Sequence, residues 1–154
     1  MPVSVVTGGS RGIGAATVTH LAALGHRVYF FYNQSAEAAA ALAAKTGATP
    51  IRCNVADIQA VAAAFRQIGH VDNLVCNAGI WKGGLVQDIS ETDWDQLFDV
   101  NVKGVYNCIK AATPLFLKKQ AGSIVTVSSM WGQVGASCEV AYSATKGAVI
   151  AMTK

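Results

Sequence analysis

Apolar positions along this chain come in short blocks whose period switches back and forth between strand and helix. Val3 to Val6 is a compact apolar run of the kind a buried strand uses. Gly8-Gly9-Ser10-Arg11-Gly12 then reads as a turn, and from Ile13 to Leu24 the apolar residues recur at helical spacing until Gly25 stops them. Arg27 to Tyr32, aromatic and β-branched, reads as a second strand. Ser35 stands at the N-cap of an alanine-rich helix that ends near Gly47. Pro50 to Cys53 reads as a third strand, Asp57 to Gln67 as a helix, and Asn73 to Cys76 as a fourth strand, followed by an Asn77-Ala78-Gly79 turn. Trp81 to Gln87 has no period and reads as a loop. Ser90 or Thr92 caps a short helix to Phe98, and a longer helix runs from near Asn101 to Lys119, with Pro114 expected to kink or break it. Ser123 to Val127 is the fifth strand, and a last helix starts near Val140.

Strands alternating with helices predict an α/β fold, a doubly wound parallel sheet with helices on both faces. At 154 residues, with no repeat, linker or charged tail, the chain reads as one domain. Its last residues, Ala148 to Lys154, still read as helix with no stop signal, so the chain is expected to be cut short and the sheet to lack its last strands. With 52% apolar and 14% charged residues the sequence is not that of a disordered chain. The longest unbroken apolar run, Ala38 to Ala44, is far too short for a membrane helix, and Met1-Pro2-Val3-Ser4 has no secretory character. Cys53, Cys76, Cys108 and Cys138 are far apart and form no C-x-x-C pair, which suits free thiols in a cytoplasmic protein better than disulfides or a metal site. A net charge of +3 is too mild to suggest nucleic acid. Its distribution is more telling, because no acid precedes Glu37 while Arg11, His20, His26 and Arg27 do, a stretch suited to an anionic ligand.

Three groups of residues carry candidate chemistry. The run Thr7-Gly8-Gly9-Ser10-Arg11-Gly12-Ile13-Gly14 joins a strand to a helix. Glycines there let the backbone turn sharply and approach a diphosphate, and the helix start offers free N–H groups. The second strand ends at Tyr32-Asn33, where NAD binders usually keep an acid for the ribose 2′-hydroxyl, and none is present. With Arg11 in the loop, a 2′-phosphate is favoured, hence NADP(H) over NAD(H). Tyr142 and Lys146 are four apart on one helical face, where the lysine charge favours the phenolate form of its neighbour. Ser129 and Asn77 each follow an apolar strand, at the sheet edge where open α/β sheets bind ligands. Asn101 falls near a helix start, where capping is its ordinary role.

Taken together, Thr7-Gly8-x-x-x-Gly12-x-Gly14, Asn77-Ala78-Gly79, Asn101, Ser129 and Tyr142-x-x-x-Lys146 resemble the short-chain dehydrogenase/reductase family over essentially the whole chain, from Val3 to Lys154. The resemblance implies a Rossmann-like fold and carbonyl reduction with NADP(H). It assigns Tyr142 as general acid, Ser129 as a hydrogen-bond donor to the carbonyl oxygen, Lys146 as a contact to the nicotinamide ribose, and Asn101 to a water-linked proton relay. The Gly8 to Gly14 turn would hold the diphosphate, with Asn54, Val55 and Asn77 on the adenosine side. Within the family the chain looks most like bacterial 3-oxoacyl-acyl-carrier-protein reductases, which implies a small or carrier-bound carbonyl substrate and a homotetramer formed through the helices near Asn101 and Val140. The segment Trp131 to Val140 is also similar to reductases acting on a 5-aminopentanone modification of elongation factor P, where Glu139 would meet a substrate ammonium. A non-catalytic nucleotide-binding piece is the alternative of a different class.

Overall fold

The computed structural model describes residues 1–154. Strands β1 (Val3–Thr7), β2 (Arg27–Tyr32), β3 (Thr49–Arg52), β4 (Asn73–Cys76) and β5 (Ser123–Thr126) form one parallel sheet in the order β3-β2-β1-β4-β5. Helices α1 (Gly12–Ala23), α2 (Ala36–Thr46), α3 (Ile58–Ile68), α4 (Glu91–Phe98), α5 (Gly104–Lys119), α6 (Trp131–Val134) and α7 (Val140–Thr153) supply the connections and cover the sheet.

Successive strand residues point to opposite faces, and both faces are buried. Val5, Phe31 and Leu74 pack with Val61 and Phe65 of α3, Val105 and Cys108 of α5, and Val149 of α7. Their neighbours Val6 and Phe30 pack instead with Val18 of α1 and Ala39 of α2. The expected two-sided α/β sandwich is therefore present. Strand order reverses direction between β1 and β4, which opens a crevice at their carboxyl ends.

The opposite edge is closed by Asp72. Its carboxylate accepts a 2.7 Å hydrogen bond from the Val3 N–H, pairs with Lys119 of α5 and lies 3.1 Å from the His70 Nε2. The Lys119 and Val3 hydrogen bonds lower the Asp72 carboxyl to about 2. This cluster ties the first strand to a helix more than a hundred residues later, far from the crevice.

Several local expectations change. Ser35 occupies the α2 N-cap, yet its side chain makes no capping bond. Asp57 and Ser90 do cap, the first accepting from the Gln59 and Ala60 N–H groups, the second from that of Asp93. No break separates α4 from α5: a π turn, Asp99–Lys103, joins them. Asn101 is inside that turn, not at a helix start. Helix α5 runs through Pro114 to Lys119, because Ala112, Leu115 and Phe116 hold it to the core on both sides of the missing N–H. The short helix α6 lies within what reads from sequence as loop.

Candidate functional site

The loop from Thr7 to Gly14 is shaped by contacts that exclude side chains. A Cβ on Gly14 would lie 2.2 Å from the Gly8 carbonyl oxygen, so the first turn of α1 rests directly on the loop. Gly12 has a φ of 56°, and a Cβ there would meet nothing, leaving open space ahead of the helix. Thr7 and Asn77 brace the loop from β4. The Thr7 hydroxyl accepts from the N–H groups of Asn77 and Ala78 at 3.0 and 2.9 Å. The Asn77 amide donates to the Thr7 and Gly8 carbonyls at 3.0 and 3.1 Å. With those carbonyls held by Asn77, the loop keeps a fixed shape before any ligand arrives.

A cavity of about 420 Å³ opens over this loop. Gly8, Ser10, Arg11 and Ile13 form its floor, Asn33, Gln34 and Ser35 one end, Asn54 and Val55 a wall, and Asn77 to Ile80 the other end. Arg11 is the only charged side chain among the lining residues. Arg52 donates from Nε to the Asn33 carbonyl at 3.2 Å and fixes that corner. Asn54 accepts from the Ala56 N–H at 3.1 Å in an Asx turn. Cys53 also lines the cavity, but burial, and then the nearby Asp57 charge, push its thiol up to about 11, so it is no nucleophile. Tyr32 differs from expectation: its ring packs against the α1–α2 core cluster, and Asn33, Gln34 and Ser35 form the cavity end. Thr7, Gly12 and Gly14 shape the loop from behind without lining the cavity.

Beyond Gly79 the structure gathers the polar side chains of α7 and the π turn. Lys146 is buried, and its ammonium donates to the Val127 carbonyl at 2.9 Å. Desolvation lowers its pKa. The same nitrogen stands 5.7 Å from the centre of the Tyr142 ring. It also lies 3.6 Å from where a Cβ on Gly79 would be, and the Asn101 Oδ1 lies 3.4 Å from that point. Gly79 is thus the seam between the cavity and the lysine. Asn101, fully buried, accepts from the Ile80 N–H at 2.8 Å and donates to the Ile80 carbonyl at 2.9 Å and to the Thr145 hydroxyl at 3.1 Å. Its side chain is occupied in joining the β4 loop to α7. The Ser129 hydroxyl, just past β5, accepts from the Trp131 N–H at 3.2 Å. Glu139 is the N-cap residue of α7 without capping it, and both its carboxylate oxygens lie 2.8 Å from the Trp81 indole nitrogen.

Four supporting residues escape sequence reasoning. Asn107 on α5 is buried and donates to the Val55 carbonyl at 2.9 Å, fixing the cavity wall. Thr145 receives Asn101, and Ser128 donates to the Lys146 carbonyl at 2.8 Å. Trp81 holds Glu139. Asn107 alone leaves a signal, a polar residue on an apolar helical stripe. Thr145 stands in a helix that reads as such but has no motif of its own, and Ser128 and Trp81 stand in segments without period.

Comparison with known proteins agrees with this geometry. The family model described as short chain dehydrogenase matches residues 2–154, and the chain belongs to that family. It is 40% identical over 160 residues to the 3-oxoacyl-[acyl-carrier-protein] reductase FabG of Staphylococcus aureus (strain Mu50), covering 98% of this chain and 65% of that protein. An acetoacetyl-CoA reductase of Synechocystis is 40% identical over 156 residues, covering 99% of this chain and 62% of the relative. A crystal structure described as a candidate betaketoacyl-ACP reductase superposes with a TM-score of 0.93 at 32% identity, over 99% of this chain and 64% of the other. The chain thus spans about 65% of the length of FabG.

Proposed function

We propose that this chain carries the cofactor cleft and acid–base residues of an NADP(H)-dependent carbonyl reductase acting on 3-oxoacyl groups, free or carrier-bound. One observation carries the reading: a cleft whose only charged lining residue is Arg11 ends at Gly79, and Lys146, beside Tyr142, lies against that glycine. The cleft fits a dinucleotide. It is braced, free of carboxylates and floored by Gly8, Ser10, Arg11 and Ile13 at the start of α1, where a diphosphate would approach backbone N–H groups. Arg11 would meet the 2′-phosphate, which no neighbouring acid repels.

When bound, the cofactor supplies a hydride to the carbonyl carbon, and the carbonyl π electrons move onto oxygen. Ser129 donates a hydrogen bond to that oxygen as charge develops. Tyr142 transfers its phenolic proton to it and completes the alcohol. Lys146, held by the Val127 carbonyl behind Gly79, would place a positive charge beside the resulting phenolate and would hold the ribose. Asn101 keeps the β4 loop and α7 at fixed separation. The π turn that carries it is a device often found at functional sites.

Glu139 bears on the 5-aminopentanone reading. Its carboxylate is engaged by Trp81, and a substrate ammonium would have to share it, which favours the oxoacyl reading. Exposed Tyr106 and Leu117 on α5 and Val140 and Met152 on α7 support assembly of copies through these helices, as in a homotetramer. No helix is long and apolar enough to cross a membrane. All four cysteines are free, as they would be in a reducing cytoplasm.

The test is titration with NADPH and NADH by nicotinamide fluorescence, followed by turnover of a 3-oxoacyl thioester. NADPH is expected to bind more tightly than NADH, and Arg11→Ala to weaken NADPH by about tenfold while sparing NADH. Equal binding of the two overturns the 2′-phosphate assignment. Binding without turnover of any ketone leaves a nucleotide-binding piece.

A further inference from the structure

Two successive residues of the β4 loop are tied to α7 at two points that flank Tyr142. Ile80 is held at both main-chain groups by Asn101, which also reaches Thr145. Trp81 donates its indole N–H to Glu139, with both oxygens at 2.8 Å. Tyr142 stands midway between Glu139 and Thr145 in the sequence. Backbone contacts reinforce the second tie: the Gly84 N–H donates to the Cys138 carbonyl at 2.8 Å, and Gly84 pairs with Glu139 in an isolated parallel bridge. A Cβ on Gly83 would lie 2.8 Å from the Trp81 ring and 3.2 Å from the Cys138 carbonyl oxygen, so the loop is fitted closely to this partner.

A side chain at the start of a helix can bond to the helix's own free N–H groups, and the dipole favours an acid there. Glu139 makes no such bond and reaches across to the indole of Trp81, a residue 65% exposed. Its own carbonyl meanwhile accepts the Ser143 N–H at 2.8 Å. Whatever fixes Glu139 therefore fixes the turn that carries Tyr142.

We infer that Trp81 and Glu139 are positioning residues, a clasp that sets the first turn of α7 and hence the placement of the Tyr142 side chain beside Lys146. This rests on the carbonyl-reductase reading and adds two residues to it. The clasp needs an oxygen acceptor at 139 and an N–H donor at 81, but not the carboxylate charge.

The variants Trp81→Phe, Glu139→Ala and Glu139→Gln, with the Trp81→Phe/Glu139→Ala double variant, test it. Trp81→Phe and Glu139→Ala are expected to lower kcat roughly ten- to hundredfold, the size that small misplacements of a reacting group produce, with NADPH affinity unchanged. Glu139→Gln keeps an amide oxygen for the indole and restores kcat to within about threefold of wild type. The double variant is no slower than the slower single variant, because one contact is lost once. Amide exchange at Ser143 is expected to quicken in Glu139→Ala and Trp81→Phe and to stay slow in Glu139→Gln. A loss in Glu139→Gln equal to that in Glu139→Ala overturns the clasp, as do additive losses in the double variant or unchanged exchange in all variants. If the wild-type chain reduces no ketone, the proposed function fails, while the Ser143 exchange pattern still decides for or against the clasp.

Discussion

Gly132→Ala is the substitution that most directly tests how α7, which carries Tyr142 and Lys146, is placed. Gly132 is in α6, and its Cβ would lie 2.6 Å from the Lys146 carbonyl carbon and 2.8 Å from both the Lys146 oxygen and the Gly147 nitrogen. All three are backbone atoms, so no rotamer change relieves the contact. Carbon atoms reach their best separation at about 3.5–4.0 Å, and α7 must therefore retreat by roughly an ångström at Lys146. Overpacking of this kind costs about 1–3 kcal/mol, offset in part by the lower unfolded-state entropy of alanine, so a net loss of about 1–2 kcal/mol is expected. The effect on turnover is larger. Lys146 is held by the Val127 carbonyl, and Ser128 holds the Lys146 carbonyl, so the displacement falls on the lysine and its neighbour Tyr142. A misplacement of about 1 Å corresponds to a hundredfold loss of kcat. The assay is steady-state oxidation of NADPH with a 3-oxoacyl thioester, beside thermal unfolding. Gly122→Ala is the control, because its Cβ would strike the Phe116 ring at 2.3 Å, away from the cleft. It should lose stability and keep kcat. Wild-type kcat in Gly132→Ala, or an equal loss in Gly122→Ala, refutes the reasoning.

Lys146→Met should abolish turnover yet raise stability by about 1–2 kcal/mol in chemical unfolding, since it removes a buried ammonium. Burial lowers the pKa of Lys146, so its penalty is present while it is protonated and fades as pH rises through the lowered value; the stability gap between variant and wild type should narrow at alkaline pH. Asp72→Asn should cost about 1 kcal/mol at neutral pH in the same assay. Because the Asp72 carboxyl is lowered from 3.8 to about 2, its contribution is present above its unfolded value and lost as pH falls through the folded one, so the two proteins should converge near the acid end. Asn77→Ala frees the Thr7 and Gly8 carbonyls and should weaken NADPH about tenfold by fluorescence titration.

The strands and the glycine loop were legible because their signals are local. Arg27 to Tyr32 declares itself by composition, and Gly8 to Gly14 by its place between a strand and a helix. That Tyr32 packs on the core while Asn33 to Ser35 line the cavity is not legible, because β2 is buried on both faces and no polar alternation tells which side chains face the cavity. Asn101 was read as a helix start because a π turn adds one residue to a helical pattern without interrupting its apolar face. Pro114 suggested a break that tertiary packing overrides. Trp81 and Glu139 lie 58 residues apart in segments without period, and only the fold brings them together.

The brace between Thr7 and Asn77 has a consequence for how the protein is made. Its two ends are 70 residues apart, and the β1–β4 pairing on which it rests closes a loop of similar length. Closing such a loop carries an entropic cost of about 4 kcal/mol before other contacts repay it, whereas β1 and β2 are joined by a far shorter connection. A chain emerging from the ribosome can therefore build the β1–β2–β3 half early, but its phosphate loop takes shape only after Asn77 has been synthesised and docked. On the proposed reading, a dinucleotide would bind only the completed arrangement and would draw the folding equilibrium toward it by mass action. If the proposed cofactor binding holds, cellular cofactor supply would then influence how much of the newly made protein survives.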